Sequence, residues 1–306
     1  MTILIIGASG FLGKYITKRV KLEKKYKILA LTRRKFFFDN EINYLTCDIR
    51  NIKKIENKLI KFNPNVIIYL AWEGIPNLNF KNSYINLKNS IDFFDLVLNK
   101  TKCKKIIVSG SCLEYGKQKG ECKESNNIEI NSYFNWAKVS LFQYLSIQAK
   151  EKKIDLIWLR IFYAFGLGQR KNSLIPYLIS SIKKNEIPKI NNPRNKNDFI
   201  YVKDVAEAFV KAIELRNFVG VINLGSGKSK SVIDICKMIE KELNGTTKFF
   251  DQIKKRSSLK QDRKLWANMN IAKKILKWSP KYNLDKAINE IIYNLLKQKK
   301  FNSIEK

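Results

Sequence analysis

Three glycines at positions 7, 10 and 13 constrain the fold of this chain more than any other feature. They directly follow the apolar residues 3–6, which are typical of a buried strand, and they open a stretch with helical periodicity. Glycine lets the backbone turn tightly and approach a ligand, and the N–H groups at a helix start attract an anion. The pattern predicts a pyrophosphate site for a dinucleotide, with contacts from Gly7, Ser9, Gly10, Phe11, Leu12 and Gly13.

Apolar runs alternate with helical patterns through the first half of the chain, which is typical of a parallel sheet covered by helices on both faces. The predicted strands are 2–7, 27–32, 43–47, 65–71, 104–109 and 155–161. We therefore predict an α/β fold, a Rossmann-type doubly wound parallel sheet with a smaller, discontinuous C-terminal substrate lobe. The predicted dinucleotide-binding domain spans 1–165, with 199–225 returning to it. The lobe comprises 166–198 and 226–306.

The end of the second predicted strand indicates which dinucleotide binds. An acidic residue there would hydrogen-bond the ribose of NAD, but the chain reads Thr32, Arg33, Arg34 and Lys35. Guanidinium groups match the charge and geometry of a 2′-phosphate, so these residues favour NADP(H) over NAD(H). The alternative is that they are three more surface cations in a lysine-rich chain.

Composition excludes several other classes of site. The formal net charge of +32 is spread along the chain without an arginine-rich arm, so we interpret it as a solvated surface and not as a nucleic-acid site. The chain has no histidine, and its five cysteines show no metal-ligand spacing, so no metal site is predicted. Residues 1–6 read as a strand without a basic leader, and no apolar run is long enough to span a membrane. We expect a cytoplasmic protein with reduced thiols.

Several further motifs resemble those of the extended short-chain dehydrogenase/reductase family, the NAD-dependent epimerases and dehydratases. The resemblance covers nearly the whole chain. It includes the glycine loop, the late motif at residues 198–206, and the segments 223–227 and 277–280. It implies further cofactor contacts at Asp48, Ile49, Leu70, Ala71, Trp72, Ser109 and Phe162.

In this family a Ser or Thr, a Tyr and a Lys form the catalytic group, in which lysine binds the nicotinamide ribose and tyrosine exchanges a proton with the substrate. Ser111 and Lys138 match two of these positions, but Phe134 occupies the place of the tyrosine. Phenylalanine keeps the ring and cannot donate a proton. Three explanations stay open: an engineered Tyr-to-Phe substitution, another donor such as Tyr133, Tyr163 or water held by Ser111, and binding without chemistry. The first is favoured because the residues around position 134 otherwise match.

The resemblance also bears on the reaction. Dehydratases of the family carry Asp-Glu after the catalytic Thr, whereas Cys112 and Leu113 follow Ser111 here. The motifs are most similar to those of nucleotide-sugar 4-ketoreductases that make deoxysugars, with a nucleotide-sugar epimerase as the alternative. The implied partners are a nucleotide-diphosphate sugar and a second copy in a homodimer. The implied substrate contacts are Trp72, Ser111, Cys112, Leu113, Tyr163, Arg170, Asn172, Leu174 and Arg263. For Glu73 and Glu114 the alternative to a role in the site is that they are solvated loop carboxylates.

Overall fold

Seven parallel strands form the central sheet of the computed structural model, which describes residues 1–34, 39–256 and 263–304. Their order across the sheet is β3-β2-β1-β4-β5-β7-β10. The bounds are β1 Thr2–Ile6, β2 Lys27–Thr32, β3 Asn43–Thr46, β4 Val66–Tyr69, β5 Lys105–Ser111, β7 Asp155–Ile161 and β10 Val219–Leu224. The strand order reverses between β1 and β4, which places a crevice at their carboxyl ends. The predicted doubly wound parallel sheet is therefore confirmed.

Helices cover both faces of this sheet. The helices of the described residues are α1 Phe11–Lys21, α2 Glu56–Phe62, α3 Phe80–Lys100, α4 Tyr133–Lys152, α5 Leu174–Lys183, α6 Val202–Glu214, α7 Val232–Asn244, α8 Lys248–Arg256, α9 Asn270–Ile275 and α10 Leu284–Ile304. Of these, α5, α7, α8 and α10 belong to a separate core and do not cover the sheet. Two 3-10 helices span Ile49–Ile55 and Cys112–Tyr115. Within the described ranges, no helix is both long and apolar enough to cross a membrane.

The alternation of side chains along β1 explains the layering. Ile3 and Ile5 join a core with α1 and α6, whereas Leu4 and Ile6 join a second core with α3 and α4 on the opposite face. Because both faces are buried, the strand reads as a continuous apolar run and not as an alternating one. This burial is what made the central strands recognisable in the sequence.

A third core lies among elements of the second half of the chain. It is built from side chains of α5, α7, α8 and α10, packed on β9, Lys196–Tyr201. β9 pairs with β8, Tyr163–Phe165, and β11, Ser229–Ser231, while β6, Gly120–Cys122, pairs with β12, Leu265–Ala267. These four partner strands have three residues each, too few for periodicity to reveal them. The proposed division into two lobes stays a prediction.

The late motif at residues 198–206 holds these parts together through two buried carboxylates. Asp198 is fully buried and accepts hydrogen bonds from Ser226 N at 2.7 Å, Gly227 N at 3.0 Å and Ala267 N at 3.0 Å. Asp204 accepts from the backbone N–H groups of Lys281 at 2.9 Å and Tyr282 at 3.1 Å. The motif therefore stabilises the junction of β9 and α6 with β12 and two distant loops.

We expect Asp198→Asn to lower the free energy of unfolding by about 3 kcal/mol, because an amide NH₂ would face N–H donors and leave them unpaired. Asp251→Asn is the control, since Asp251 is exposed and accepts a hydrogen bond from Thr247 Oγ1 on the surface. Its effect should stay within about 0.5 kcal/mol. Urea unfolding followed by circular dichroism measures both values, and equal small losses would contradict this account of Asp198.

Candidate active site

The glycine loop connects β1 to α1 at the carboxyl edge of the sheet. Gly7 has φ of +83°, and a Cβ atom on Gly13 would lie 2.1 Å from the carbonyl oxygen of Gly7, so a side chain is excluded at both positions. Gly10 is the N-cap residue of α1 and supplies no side-chain cap. The N–H groups of the first turn therefore remain available to an anion, as a pyrophosphate site requires.

A cleft runs along both sides of this loop. Two cavities of about 340 and 360 Å³ share Gly7, Gly10, Leu70, Trp72 and Arg170, so we treat them as two halves of one cleft. Most of the predicted cofactor residues line it. They are Gly7, Ser9, Gly10, Phe11, Leu12, Gly13, Arg33, Asp48, Ile49, Leu70, Ala71, Trp72, Ser109, Lys138 and Phe162.

The first half of the cleft lies over the ends of β1, β2 and β3. Asp48 is held there by Arg50, through Nε to Oδ1 at 3.0 Å and Nη2 to Oδ2 at 2.6 Å, and this pairing lowers the pKa of the Asp48 carboxyl. Arg33 also lines this half, and its Nη1 lies 2.5 Å from Oε2 of Glu73. Two predicted contacts lie outside the lining. Thr32 is buried with its hydroxyl donating to the Arg34 carbonyl at 2.9 Å, and Arg34 is exposed beside the cleft. Lys35 lies outside the described residues.

The second half contains the residues of the predicted catalytic group. Lys138 is buried, and its Nζ donates to the carbonyl oxygen of Ser109 at 2.9 Å and lies 3.9 Å from the ring centre of Trp72. Burial lowers the pKa of Lys138 to about 8. Ser111 lies at the end of β5, where its Oγ accepts from Leu113 N at 3.2 Å. The hydroxyl proton of Ser111 is not used in that bond.

Phe134 faces this half of the cleft from the first turn of α4. It is four residues from Lys138, shares its helix face, and contacts Trp72 edge-on with ring centres 5.5 Å apart. Tyr133 is 55% exposed and packs on Phe80, outside the cleft lining. Tyr163 also lies outside the lining, and burial raises its pKa to about 12. Neither tyrosine is placed to replace the missing hydroxyl.

The structure rules out the alternative that Glu114 is a solvated loop carboxylate. It is fully buried and accepts from Ser111 N at 2.7 Å, Trp158 Nε1 at 2.9 Å and Arg160 Nε at 2.8 Å. Its negative charge also opposes the effect of burial on the pKa of Lys138. The local sequence gave no hint of this, because Trp158 and Arg160 are supplied by β7, far along the chain.

The predicted substrate residues are only partly brought together. Trp72, Ser111 and Arg170 line the cleft. The other six lie outside its lining: Cys112, Leu113, Tyr163, Asn172, Leu174 and Arg263. Cys112 is buried, Asn172 is exposed, and Leu174 starts α5 and packs against the third core. The cleft instead uses Ile75, Gln169 and Ser173, which have no distinctive sequence pattern.

Arg263 is half-buried behind this region. Burial raises the pKa values of Cys112, Cys122 and Tyr163, and the positive charge of Arg263 opposes this rise in each case. Its Nε and Nη2 atoms are buried without a hydrogen-bond partner among the described residues. Arg263 therefore keeps donors available beside the cleft, although it does not line it.

The chain is similar in sequence to known proteins. A family model described as "NAD dependent epimerase/dehydratase family" matches residues 3–225. A dTDP-4-dehydro-6-deoxyglucose reductase of Escherichia coli is 29% identical over 261 residues, covering 79% of this chain and 82% of the relative. A putative UDP-glucose 4-epimerase of Methanocaldococcus jannaschii is 26% identical over 258 residues, with the same two coverages.

The fold is also found in solved structures. A UDP-glucose 4-epimerase of Thermotoga maritima, solved with UDP-glucose, superposes with a TM-score of 0.83. The match covers 97% of this chain and 99% of that one at 21% sequence identity. The likeness at this identity concerns the fold.

We expect Lys138→Met to raise the free energy of unfolding at pH 7, because an ammonium group no longer has to be buried. A pKa lowered from 10.5 to about 8 sets an upper limit of about 3 kcal/mol for the gain. Between about pH 8 and pH 10.5, Lys138 keeps its proton in the unfolded chain and loses it in the folded protein. The contribution of Lys138 to wild-type stability therefore rises with pH over this range. The advantage of the variant should therefore shrink from pH 7 to pH 10. Urea unfolding at pH 7 and pH 10 measures the free-energy difference between variant and wild type. A variant less stable than the wild type at pH 7 would contradict the view that burial of the Lys138 ammonium costs stability.

Proposed function

The chain belongs to the NAD-dependent epimerase/dehydratase family, and we propose that it reduces the 4-keto group of a nucleotide-linked deoxysugar with a nicotinamide cofactor. One observation carries the proposal: the cleft joins an uncapped glycine loop to Ser111 and Lys138. The similarity to a curated reductase supports reduction as the reaction. Such a step belongs to the synthesis of surface-glycan sugars.

The residues present fit a dinucleotide. The glycine positions leave no room for side chains where the backbone must approach a pyrophosphate, and Asp48 and Ile49 line the same cavity as Gly7 and Gly10. When bound, the dinucleotide supplies the hydride. Lys138 would hold the nicotinamide ribose with the donors that its bond to Ser109 leaves free, and Ser111 would orient the keto oxygen through its hydroxyl proton.

Phe134 sets the rate in this proposal. A phenol at this position would share the helix face of Lys138, whose nearby positive charge lowers a phenol pKa towards neutrality. Without that hydroxyl, the proton must come from Ser111 or from water that Ser111 holds. Loss of one acid–base group typically costs about 10²–10⁴-fold in rate, so slow reduction remains within reach of this chain.

Epimerisation is the second candidate, since a putative 4-epimerase is about as similar to the chain as the reductase. The two reactions differ in what becomes of the cofactor. Net reduction consumes NADPH or NADH, whereas epimerisation of a nucleotide sugar leaves the total amount unchanged. A binding protein without chemistry would do neither.

We expect Phe134→Tyr to raise the rate of NADPH or NADH oxidation by roughly 100-fold or more with a nucleotide-linked 4-keto-6-deoxy sugar, because it restores the proton donor. Phe162→Tyr is the matched control: it adds the same hydroxyl to another buried ring of the cleft and should give no gain. The absorbance of the reduced cofactor follows the reaction. The panel of substrates includes 4-keto-6-deoxy sugars linked to different nucleobases. If the wild type and Phe134→Tyr both bind the sugar but neither oxidises the cofactor, the proposed reduction is contradicted. Epimerisation, or binding without chemistry, is then the better account.

We also propose a homodimer packed through α3 and α4, the helix that carries Lys138. An aromatic patch of Phe80, Tyr84 and Tyr133 lies at the amino-terminal ends of these helices, and its members are 53%, 48% and 55% exposed. Phe80 contacts both tyrosines, with ring centres 5.8 and 5.3 Å away. Exposed apolar clusters of this kind are typical of protein interfaces.

Phe80→Asp should therefore shift the protein from dimer to monomer, because it buries an unpaired charge in the proposed interface. Leu22→Asp is the control, since Leu22 is 66% exposed at the end of α1 and lies outside the aromatic patch. Light scattering coupled to gel filtration measures the mass of each. A wild-type monomer, or a dimer unaffected by Phe80→Asp, would reject this interface.

A further inference from the structure

An ion pair spans the cofactor cleft at its first half. Arg33 follows β2 and Glu73 follows β4, two strands that are separated by β1 in the sheet. Two strand spacings amount to about 10 Å, and the two side chains close this distance with Nη1 and Oε2 2.5 Å apart. Both residues line the cavity of about 340 Å³. The pair therefore crosses the crevice in which a dinucleotide would lie.

The backbone on each side of the pair is held firmly. The N–H of Glu73 donates to Asn86 Oδ1 at 2.8 Å, and Asn86 Nδ2 donates back to the Glu73 carbonyl at 3.0 Å. Asn86 itself is buried on α3. On the other side Thr32 is buried and its hydroxyl anchors the Arg34 carbonyl. The side chains of Arg33 and Glu73 are 52% and 36% exposed, so they can part without disturbing the fold.

This arrangement changes the argument about cofactor choice. The sequence has no carboxylate at the end of β2, but Glu73, which follows β4, reaches the side chain of Arg33, which follows β2. A carboxylate there can accept a hydrogen bond from a ribose 2′-hydroxyl, and a guanidinium can bind a 2′-phosphate. Asp48 is less suited to the first role, since Arg50 already holds both of its oxygens.

We propose that the Arg33–Glu73 pair selects the coenzyme. Glu73 accepts a hydrogen bond from the 2′-hydroxyl of NAD(H), and Arg33 binds the 2′-phosphate of NADP(H). Because the two side chains pair with each other, the protein can use either coenzyme. A 2′-phosphate must displace Glu73 from Arg33 and then meets its negative charge, so Glu73 opposes NADP(H). Removal of Arg33 frees Glu73 and deprives a 2′-phosphate of its counter-charge. The inference rests on the proposed function only in that a nicotinamide dinucleotide occupies the cleft.

The test is direct binding without turnover. NADH and NADPH are titrated by nucleotide fluorescence, and 5′-AMP and 2′,5′-ADP by calorimetry, into the wild type, Glu73→Gln and Arg33→Gln. Wild type should bind NADH and NADPH with Kd values within about tenfold of each other. Because an exposed pair contributes up to about 1 kcal/mol, a factor of about five in Kd, Glu73→Gln should lower the ratio of the NADPH to the NADH Kd by roughly 2- to 5-fold. Arg33→Gln should raise that ratio by a similar factor.

Two controls separate local from general charge effects. Glu121→Gln removes the same charge at an exposed position outside the cleft lining and should leave the ratio unchanged. The shifts should also appear with 2′,5′-ADP against 5′-AMP, which differ only in the 2′-phosphate and lack the nicotinamide half. A ratio that Glu73→Gln leaves unchanged or raises would overturn the inference while the proposed function stands. If no protein binds any dinucleotide, the proposed function fails as well.

Discussion

The buried carboxylate of Glu114 is the group on which the second half of the cleft depends. A fully buried charge persists only when it is surrounded by donors, and here Arg160, Trp158 and the Ser111 N–H fill that role. These donors come from β5 and β7, so the carboxylate joins two neighbouring strands at the edge where the cleft opens. Its negative charge also favours the charged form of Lys138. One carboxylate thus supports the pairing of β5 with β7, the position of Ser111 and the charge of Lys138.

The environment of Lys138 is built for a cation even though position 134 lacks a phenol. Its ammonium lies over the Trp72 ring and donates to a carbonyl, and both contacts stabilise a positive charge. Burial acts against them and lowers the lysine pKa. Phe134 lies on the same helix face without offering a hydrogen-bond partner, so the cleft carries the desolvation cost of Lys138 without a phenol at position 134.

The parts of the fold that sequence could predict are those with local causes. The glycine loop and the strands buried on both faces carry their signal within a few residues, and the structure confirms the sheet they predict. The site was harder where partners are distant in sequence. Glu114 reads as a loop residue because its donors lie on β7, and Glu73 becomes relevant to cofactor choice only through Arg33. Motif alignment gave positions such as Asn172 and Leu174 but not the direction of their side chains, and neither lines the cleft.

Charge in this protein acts on two length scales. The net charge of +32 produces a field that draws anionic ligands from a distance and is screened by salt. Inside the cleft the balance is much closer, because Arg33, Lys138 and Arg170 share the lining with Asp48 and Glu73. A field of one sign attracts both dinucleotides and favours the more highly charged NADP(H), so it cannot by itself select NAD(H). The proposed selection therefore depends on the carboxylate of Glu73 and the guanidinium of Arg33, which meet across the crevice although β4 and β2 lie on either side of β1.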